Sequence, residues 1–345
     1  MKIISTNLIL CLIVYALFEV FSGDYIIGKN TTLNNNYLVI DKPIEYDVDL
    51  YTKKPIKIKY KRDQYGFKDR FKNVDSIDII AVGGSTTEQR YLAIENTWPD
   101  LLEKKFNNNN DFDIDIINAG ISGQSSEGHI WSLNHWFKNI KDLKPQYIIF
   151  YMGINENENV TAKGDPQPHQ LKNIKLKDKI KKYLKNNNGI TYKIYLKFTL
   201  KKSALLNVWH DSERYNSSYK LIGPDASKFK KVTFIRLEKK LEELSRLTNE
   251  IGARPIFVTQ KTLRWKKDKS LIYSIDNINH YFNEKKISKV IIDFCIKKNI
   301  KYIDGFNKLK FIKEDTWDLV HTSPSGSEKI ADLIYLETKS ILHKF

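Results

Sequence analysis

The sequence predicts an α/β domain in which helices cover both faces of a central parallel sheet. After residue 76, short runs of apolar, β-branched and aromatic residues alternate with longer amphipathic stretches. The short runs are apolar throughout, which is typical of strands that are buried on both faces. With 345 residues, 41% of them hydrophobic and 28% charged, the chain has apolar material for one large domain or two small ones.

Five apolar runs have the length and composition of strands. They are SIDIIAV at 76–82, FDIDIINAG at 112–120, PQYIIFYMG at 145–153, ARPIFVTQ at 253–260 and IKYIDGF at 300–306. Each contains Ile, Val, Phe or Tyr, which favour a pleated and buried surface. Because helices alternate with these runs, we expect a three-layer αβα, flavodoxin-like fold with a central parallel sheet of about five strands.

Helices are predicted between these strands and after the last one. The helical stretches lie at 95–106, 125–143, 229–252, 278–299 and from 323 onward. Gly252 follows the third stretch at the position where a glycine commonly ends a helix. Ser323 and Pro324 suit the N-cap and the first position of the last helix.

The N-terminus predicts export. Lys2 precedes an apolar run from Ile3 to Phe18, which Glu19 ends. We interpret residues 1–22 as an uncleaved signal anchor, with a cleaved signal peptide as the alternative. Either way the remainder of the chain would lie on the extracytoplasmic side, in the periplasm or at the cell surface, or be secreted if the segment is removed.

Two segments do not follow the strand–helix alternation. Residues 23–75 are polar and are predicted to be an extended lead-in with little regular structure. Residues 157–230 are too long for an ordinary loop, so we expect an insert or lid within a domain that spans 76–345. Between 171 and 202 the insert carries eleven Lys and one acid. That pattern fits a solvated basic face as well as an element that binds a membrane or an acidic glycan. Candidate substrate contacts in the insert are Trp209, His210 and Arg214.

The chain is strongly basic, with a formal net charge of +16. A codon usage rich in Lys, Asn and Ile, an anionic surface or substrate, and a nucleic acid would each explain this charge. Runs of Asn favour the first explanation, and no nucleic-acid motif is present, so no nucleic-acid partner is predicted. Cys11 and Cys295 lack a metal-ligand spacing, and neither a metal nor an organic cofactor is predicted.

Polar motifs follow the predicted strands, where parallel sheets place their functional groups. They are GGSTTE at 83–88, NAGISGQSS at 118–126, GINE at 153–156 and, before the last helix, DLVH at 318–321. Taken alone, Ser85 also suits a helix cap, Gly123 and Asn155 suit turns, and Asp318 and His321 suit a helix start and a surface. The order and spacing of the four motifs together favour a catalytic site.

This set of motifs resembles the SGNH hydrolase family, also called GDSL-like esterases and lipases. The resemblance covers about 77–156 and 253–342, and TWPDLLE at 97–103 is similar to the first helix of that family. Two positions depart from the usual pattern. Gly84 stands where an acid is common and Glu156 where Asp is common, so both are candidate substrate contacts.

The resemblance implies a serine esterase. Ser85 would be the nucleophile, His321 the general base and Asp318 the residue that orients the imidazole. An oxyanion hole would be formed by the backbone N–H groups of Ser85 and Gly123 and the side-chain amide of Asn155. No cofactor is implied, because such a triad needs none.

The predicted substrate is a short acyl ester, acetyl above all, on a cell-surface carbohydrate. Three alternatives stay open: an O-acyltransferase that acts on a surface glycan, a lipase or lysophospholipase, and a catalytically silent glycan-binding module. The predicted partners are an acylated glycan or other ester, and a membrane through the N-terminal segment. The sequence leaves the oligomeric state open.

Overall fold

The computed structural model describes residues 44–68, 73–108, 113–156, 219–222, 235–268, 271–275 and 279–342. All of them belong to one of the two units into which the chain divides, the unit that spans 38–167 and 211–345. The predicted signal segment, most of the insert, and Trp209, His210 and Arg214 lie outside the described residues. Within the described ranges, no helix has the length and hydrophobicity that a membrane crossing requires.

The described residues contain the five predicted strands and the predicted helices, together with further strands and short helices that were not predicted. The strands are β1 (Ile44–Val48), β2 (Ile56–Tyr60), β3 (Ile77–Gly83), β4 (Asp115–Asn118), β5 (Tyr147–Met152), β6 (Tyr219–Ile222), β7 (Arg254–Thr259), β8 (Trp265–Asp268), β9 (Leu271–Ile275) and β10 (Lys301–Ile303). The α-helices are α1 (Ser85–Glu88), α2 (Trp98–Asn107), α3 (Ser126–His135), α4 (Ile235–Glu250), α5 (Asn279–Lys298), α6 (Gly305–Lys308) and α7 (Pro324–Leu342).

The central sheet has five parallel strands in the order β10–β7–β5–β3–β4. In chain order this is the 2-1-3-4-5 arrangement of flavodoxin-like folds, which confirms the predicted sheet. Gly83 pairs with Tyr151, and Tyr151 pairs with Val258. The carboxyl ends of β3, β5 and β7 therefore meet at one edge, where the polar motifs begin.

Alternate residues of the sheet pack into two separate cores. On one face, Ile80 and Phe150 lie in a core with residues of α3, α4 and α5. On the other face, Ile79 and Ile149 lie in a core with residues of α2 and α7. Neighbouring strand residues thus point to opposite layers, and both are buried, which explains why the strands are continuously apolar.

Several elements end earlier than the sequence predicts. The helix predicted at 125–143 stops at His135, where the Asn139 amide donates to the His135 carbonyl at 3.0 Å. The strand predicted at 300–306 ends at Ile303, because Asp304 caps α6 by accepting from the Asn307 N–H. In both cases a short polar side chain competes with the regular backbone pattern.

The prediction of little regular structure for 23–75 is wrong for its described part. β1 and β2 form an antiparallel hairpin in which Ile44 pairs with Tyr60. β2 reads IKIKY, and its Ile58 and Tyr60 are buried while the intervening Lys59 is exposed.

A second antiparallel sheet, β6–β9–β8, includes residues 219–222 of the predicted insert. β8 and β9 are neighbours in the sequence, whereas β6 and β9 pair across 50 or more positions, which local patterns do not reveal.

Candidate active site

Ser85 lies at the edge where the central strands end. β3 stops at Gly83, and Ser85 is the first residue of the four-residue helix α1. A Cβ on Gly83 would lie 2.7 Å from the Tyr151 carbonyl oxygen. A side chain at position 83 would therefore collide with β5, and glycine allows the close approach of the two strands just before Ser85.

Ser85, His321 and Asp318 form a continuous hydrogen-bonded chain. His321 Nε2 lies 2.8 Å from Ser85 Oγ, and His321 Nδ1 lies 2.6 Å from Asp318 Oδ2. A carboxylate accepts only, so Nδ1 carries the proton and Nε2 is left to accept from the serine hydroxyl. The structure thus brings together the three residues that the sequence predicts as a triad.

The loop that carries Asp318 and His321 fixes their geometry locally. Asp318 Oδ1 accepts from the backbone N–H groups of Val320 and His321, both at 2.6 Å. Burial alone would raise the pKa of Asp318, but its hydrogen bond to His321 and the charge of that residue lower it. Trp317 stacks on the His321 ring with centroids 4.8 Å apart and planes 10° apart.

Two candidate oxyanion donors, Gly123 and Asn155, belong to loops that approach the backbone at Gly84. Gly123 has φ +82°, a conformation that favours glycine. Asn155 Nδ2 donates to the Gln124 carbonyl at 2.9 Å, which ties its amide to the Gly123 loop. A Cβ on Gly84 would lie 2.4 Å from the same Nδ2 atom. Asn155 thus packs directly on the backbone that precedes the serine.

A family model described as GDSL-like Lipase/Acylhydrolase matches residues 79–334, well over half of the chain. The chain belongs to the GDSL-like lipase/acylhydrolase family. It is therefore a hydrolase of this family, as the resemblance of its motifs predicts. No curated protein sequence matches the chain significantly.

Solved structures similar to the chain match it at low sequence identity and with TM-scores below 0.5. A carbohydrate acetylesterase, Est24 from Sinorhizobium meliloti, is 9% identical with a TM-score of 0.43, covering 77% of this chain and 99% of that one. A catalytic mutant of the acetylxylan esterase Axe2 from Geobacillus stearothermophilus is 13% identical with a TM-score of 0.43, covering 76% and 93%. A lipolytic G-D-S-L protein from Veillonella parvula is 12% identical with a TM-score of 0.42, covering 78% and 100%.

Gly84 and Glu156, the two positions that depart from the family pattern, both contact other residues of the protein. Gly84 provides the space that Asn155 occupies. Glu156 accepts from the Ser126 N–H at 2.8 Å and from the Ser126 hydroxyl at 2.7 Å, so it caps the start of α3. Contact of either residue with substrate stays a prediction.

Gln89 is a residue of this site that the sequence analysis missed. It has φ +45° at the end of α1, and its side chain is buried. Its amide donates to Thr322 Oγ1 at 2.7 Å and to Ser327 Oγ at 2.5 Å, and its oxygen accepts from the Trp98 N–H at 2.8 Å. Gln89 therefore joins the serine helix to the residue that follows His321.

A buried charged cluster behind α1 was also missed. Glu88 Oε1 accepts from Tyr60 at 2.5 Å, Arg62 at 3.1 Å and Arg90 at 2.9 Å. Burial alone would raise the pKa of Glu88, but the charges of Arg62 and Arg90 lower it. Lys68 donates to the carbonyls of residues 88, 89 and 92, and burial lowers its pKa to about 7. Tyr60, Arg62 and Lys68 lie in or just after the hairpin, so no local motif marks this cluster.

A cavity of about 170 Å³ opens beside the serine. Its lining combines the catalytic pair with residues of α1, the following loop and the Trp317 loop: Ser85, Glu88, Gln89, Arg90, Tyr91, Leu92, Ser122, Trp317, His321 and Thr322. In the part of the chain that the structure describes, no group of three or more His, Cys, Asp or Glu side chains is arranged to hold a metal ion.

Proposed function

We propose that this protein is a serine esterase that hydrolyses short acyl esters, above all acetyl esters, on a cell-surface carbohydrate. The observation that carries the proposal is the pair of contacts at His321, 2.8 Å to Ser85 Oγ and 2.6 Å to Asp318 Oδ2. These distances suit proton transfer between the hydroxyl and the imidazole without rearrangement.

Acylation begins with attack of Ser85 Oγ on the ester carbonyl carbon. His321 Nε2 takes the hydroxyl proton, and Asp318 stabilises the imidazolium that forms. The N–H groups of Ser85 and Gly123 and the Asn155 amide stabilise the negative oxygen. Collapse of this intermediate expels the sugar alcohol, which takes its proton from His321.

Deacylation repeats these steps with water. His321 takes a proton from the water, whose oxygen attacks the acyl carbon of the Ser85 ester. The intermediate expels Ser85 Oγ, which regains its proton from the imidazolium, and the carboxylic acid leaves. The ring of Trp317, stacked on the imidazole, helps to hold His321 in the same orientation in both half-reactions.

The size and walls of the cavity support a short acyl group on a sugar. A volume of about 170 Å³ is below the roughly 300–1,000 Å³ of sites for larger ligands. Tyr91 and Trp317 line it and are partly exposed, with ring centroids 6.0 Å apart. Such half-buried aromatic rings offer rigid, amphipathic contact surfaces.

A series of p-nitrophenyl esters from acetate to octanoate tests the proposal, using a variant that begins at Gly23. We expect the acetate to be turned over best, and Ser85→Ala to remove turnover. Ser325→Ala, which changes an exposed serine of α7, is the matched control and should keep it. A preference for octanoate would instead favour a lipase. Turnover that Ser85→Ala leaves intact would contradict the proposal.

A further inference from the structure

Gln260 is a buried polar residue that the steps of hydrolysis do not use. It directly follows β7, whose last residue, Thr259, pairs with Met152 at the end of β5. Gln260 therefore lies at the carboxyl edge of the sheet, where the functional groups of a parallel sheet gather. The residue is 5% exposed, and burial of its amide is costly unless the amide finds hydrogen-bonding partners.

The amide of Gln260 connects three parts of this edge. Its nitrogen donates to Thr86 Oγ1 at 2.8 Å and to the Tyr151 carbonyl at 3.1 Å. Its oxygen accepts from the Ile154 N–H at 2.8 Å. Both donors and the acceptor of the amide are thus engaged by the protein itself. One side chain therefore ties α1 to the end of β5 and to the turn that follows β5.

The turn after β5 carries Asn155, the candidate side-chain donor of the oxyanion hole. Gly153 has φ +140°, and its carbonyl accepts from the Glu156 N–H at 3.2 Å. The Ile154 N–H is bound from outside this turn, by the Gln260 oxygen. Because Asn155 is the next residue, Gln260 fixes the backbone from which the Asn155 side chain extends.

The other partner of Gln260 lies beside the nucleophile. A Cβ on Gly84 would lie 2.4 Å from Asn155 Nδ2, so the amide packs on the backbone just before Ser85. Thr86, the residue just after Ser85, accepts from Gln260. The same glutamine thus holds the turn of Asn155 and the helix of Ser85 in a fixed arrangement.

We propose that Gln260 is a positioning residue that acts through Asn155, holding its amide where the negative oxygen of the intermediate forms. The inference rests on the proposed esterase function. An oxyanion donor is effective when it is oriented before the reaction, because no energy is then lost in reorganising it. Loss of Gln260 should therefore lower kcat and leave KM little changed, since the contact that it supports is made in the transition state.

A double-mutant cycle with Asn155 tests this route. Gln260→Met keeps a side chain of similar length and removes all three hydrogen bonds of the amide. We expect it to lower kcat for the preferred p-nitrophenyl ester by about 10- to 100-fold, less than the ~10²–10³ expected for Asn155→Ala. In the Asn155→Ala background the same change should lower kcat by no more than about twofold, because the group that Gln260 positions is already gone.

Two further variants separate positioning from stability. Thr338→Val removes a buried hydroxyl that donates to the Ile334 carbonyl within α7, so it should lower Tm and leave kcat unchanged. Thr86→Val removes only the hydrogen bond of Gln260 to α1, and it takes the place of Gln260→Met if that variant does not fold. Its loss of kcat should likewise disappear in the Asn155→Ala background.

The outcomes separate this inference from the proposed function. An unchanged kcat in Gln260→Met, or in Thr86→Val where it is used instead, would overturn the inference and leave the esterase standing. A loss that is equally large in the Asn155→Ala background, or an unchanged kcat in Asn155→Ala itself, would do the same. No serine-dependent turnover of any p-nitrophenyl ester by the unchanged protein would overturn the proposed function, and the inference with it.

Discussion

Ser85 and His321 are 236 positions apart in the sequence, yet their side chains are in hydrogen-bonding contact. They meet because β3 and the loop before α7 reach the same edge of the sheet. Asp318 completes the arrangement from the His321 loop itself. The pKa of Asp318 is lowered below its ordinary value of 3.8, so its carboxylate is charged at neutral pH. The stabilisation from this ionised contact is present above pH 3.8 and is lost as the pH falls through the lowered pKa.

Replacing Asp318 tests the role of the carboxylate directly. Asp318→Asn removes the charge that stabilises the imidazolium and permits the wrong imidazole tautomer. We expect kcat for p-nitrophenyl acetate to fall by ~10⁴ with KM little changed. Asp304→Asn is the control, because Asp304 only caps α6. A kcat for Asp318→Asn close to that of the control would contradict the assigned role.

Replacing Gly84 tests the position of Asn155. A Cβ at Gly84 would lie 2.4 Å from Asn155 Nδ2, so Gly84→Ala should push the amide away from the forming oxyanion. We expect kcat to fall by about 10²–10³, the usual effect of losing one oxyanion donor. Gly252→Ala is the control. An added Cβ there has no atom within 4 Å, but the φ of +83° is unfavourable for alanine. This variant should therefore lower the free energy of unfolding and leave kcat unchanged. Equal kcat values for the two variants would show that Asn155 is not such a donor.

At the scale of elements, the sequence predicts the central sheet well and the hairpin badly. The five parallel strands are apolar throughout because both of their faces are buried, and this pattern is visible locally. β2 alternates Ile with Lys and ends at the buried Tyr60. The burial of Tyr60 is explained by its hydrogen bond to Glu88, which lies 28 positions later in the sequence. The same limit applies to Gln89, whose partners lie 233 and 238 positions away.

Through the contacts of Tyr60 and Arg62 with Glu88, the hairpin and the residue after it belong to the same domain as the candidate active site. A variant that begins at Ser76 lacks Tyr60, Arg62 and Lys68 and leaves Glu88 with one of its two guanidinium partners. Because a buried polar network that loses several of its hydrogen-bonding partners is destabilised, we expect this variant to unfold at a lower temperature and to lose esterase activity. The variant that begins at Gly23 is the control. A Ser76 variant with an unchanged Tm would contradict a structural role for the hairpin.

For the whole molecule, the predicted location follows from the apolar segment Ile3–Phe18, and we propose that this segment anchors the protein to a membrane. The complete chain should then sediment with membranes and resist extraction by salt, whereas the variant that begins at Gly23 should stay in the supernatant. Both forms in the supernatant would contradict a retained anchor. A mature N-terminus near residue 23 would favour the cleaved signal peptide.

The sequence alone predicted which residues to place together as a triad, and the contacts at His321 agree with that prediction. The motifs at Ser85, Gly123, Asn155 and His321 each carry a recognisable order and spacing. The cluster of Arg62, Glu88 and Arg90 does not, because it is assembled by packing the hairpin against α1. Sequence patterns therefore predict the reacting groups. The buried charged residues beside the cavity become visible only in the folded structure.

Covalent labelling of the serine tests the central claim most directly. A p-nitrophenyl alkylphosphonate should react once per chain, and peptide mapping by mass spectrometry should place the adduct on Ser85. His321→Ala should slow the reaction strongly, because the imidazole no longer removes the hydroxyl proton. An adduct on another residue, or continued ester hydrolysis after Ser85 is blocked, would contradict the claim that Ser85 is the nucleophile.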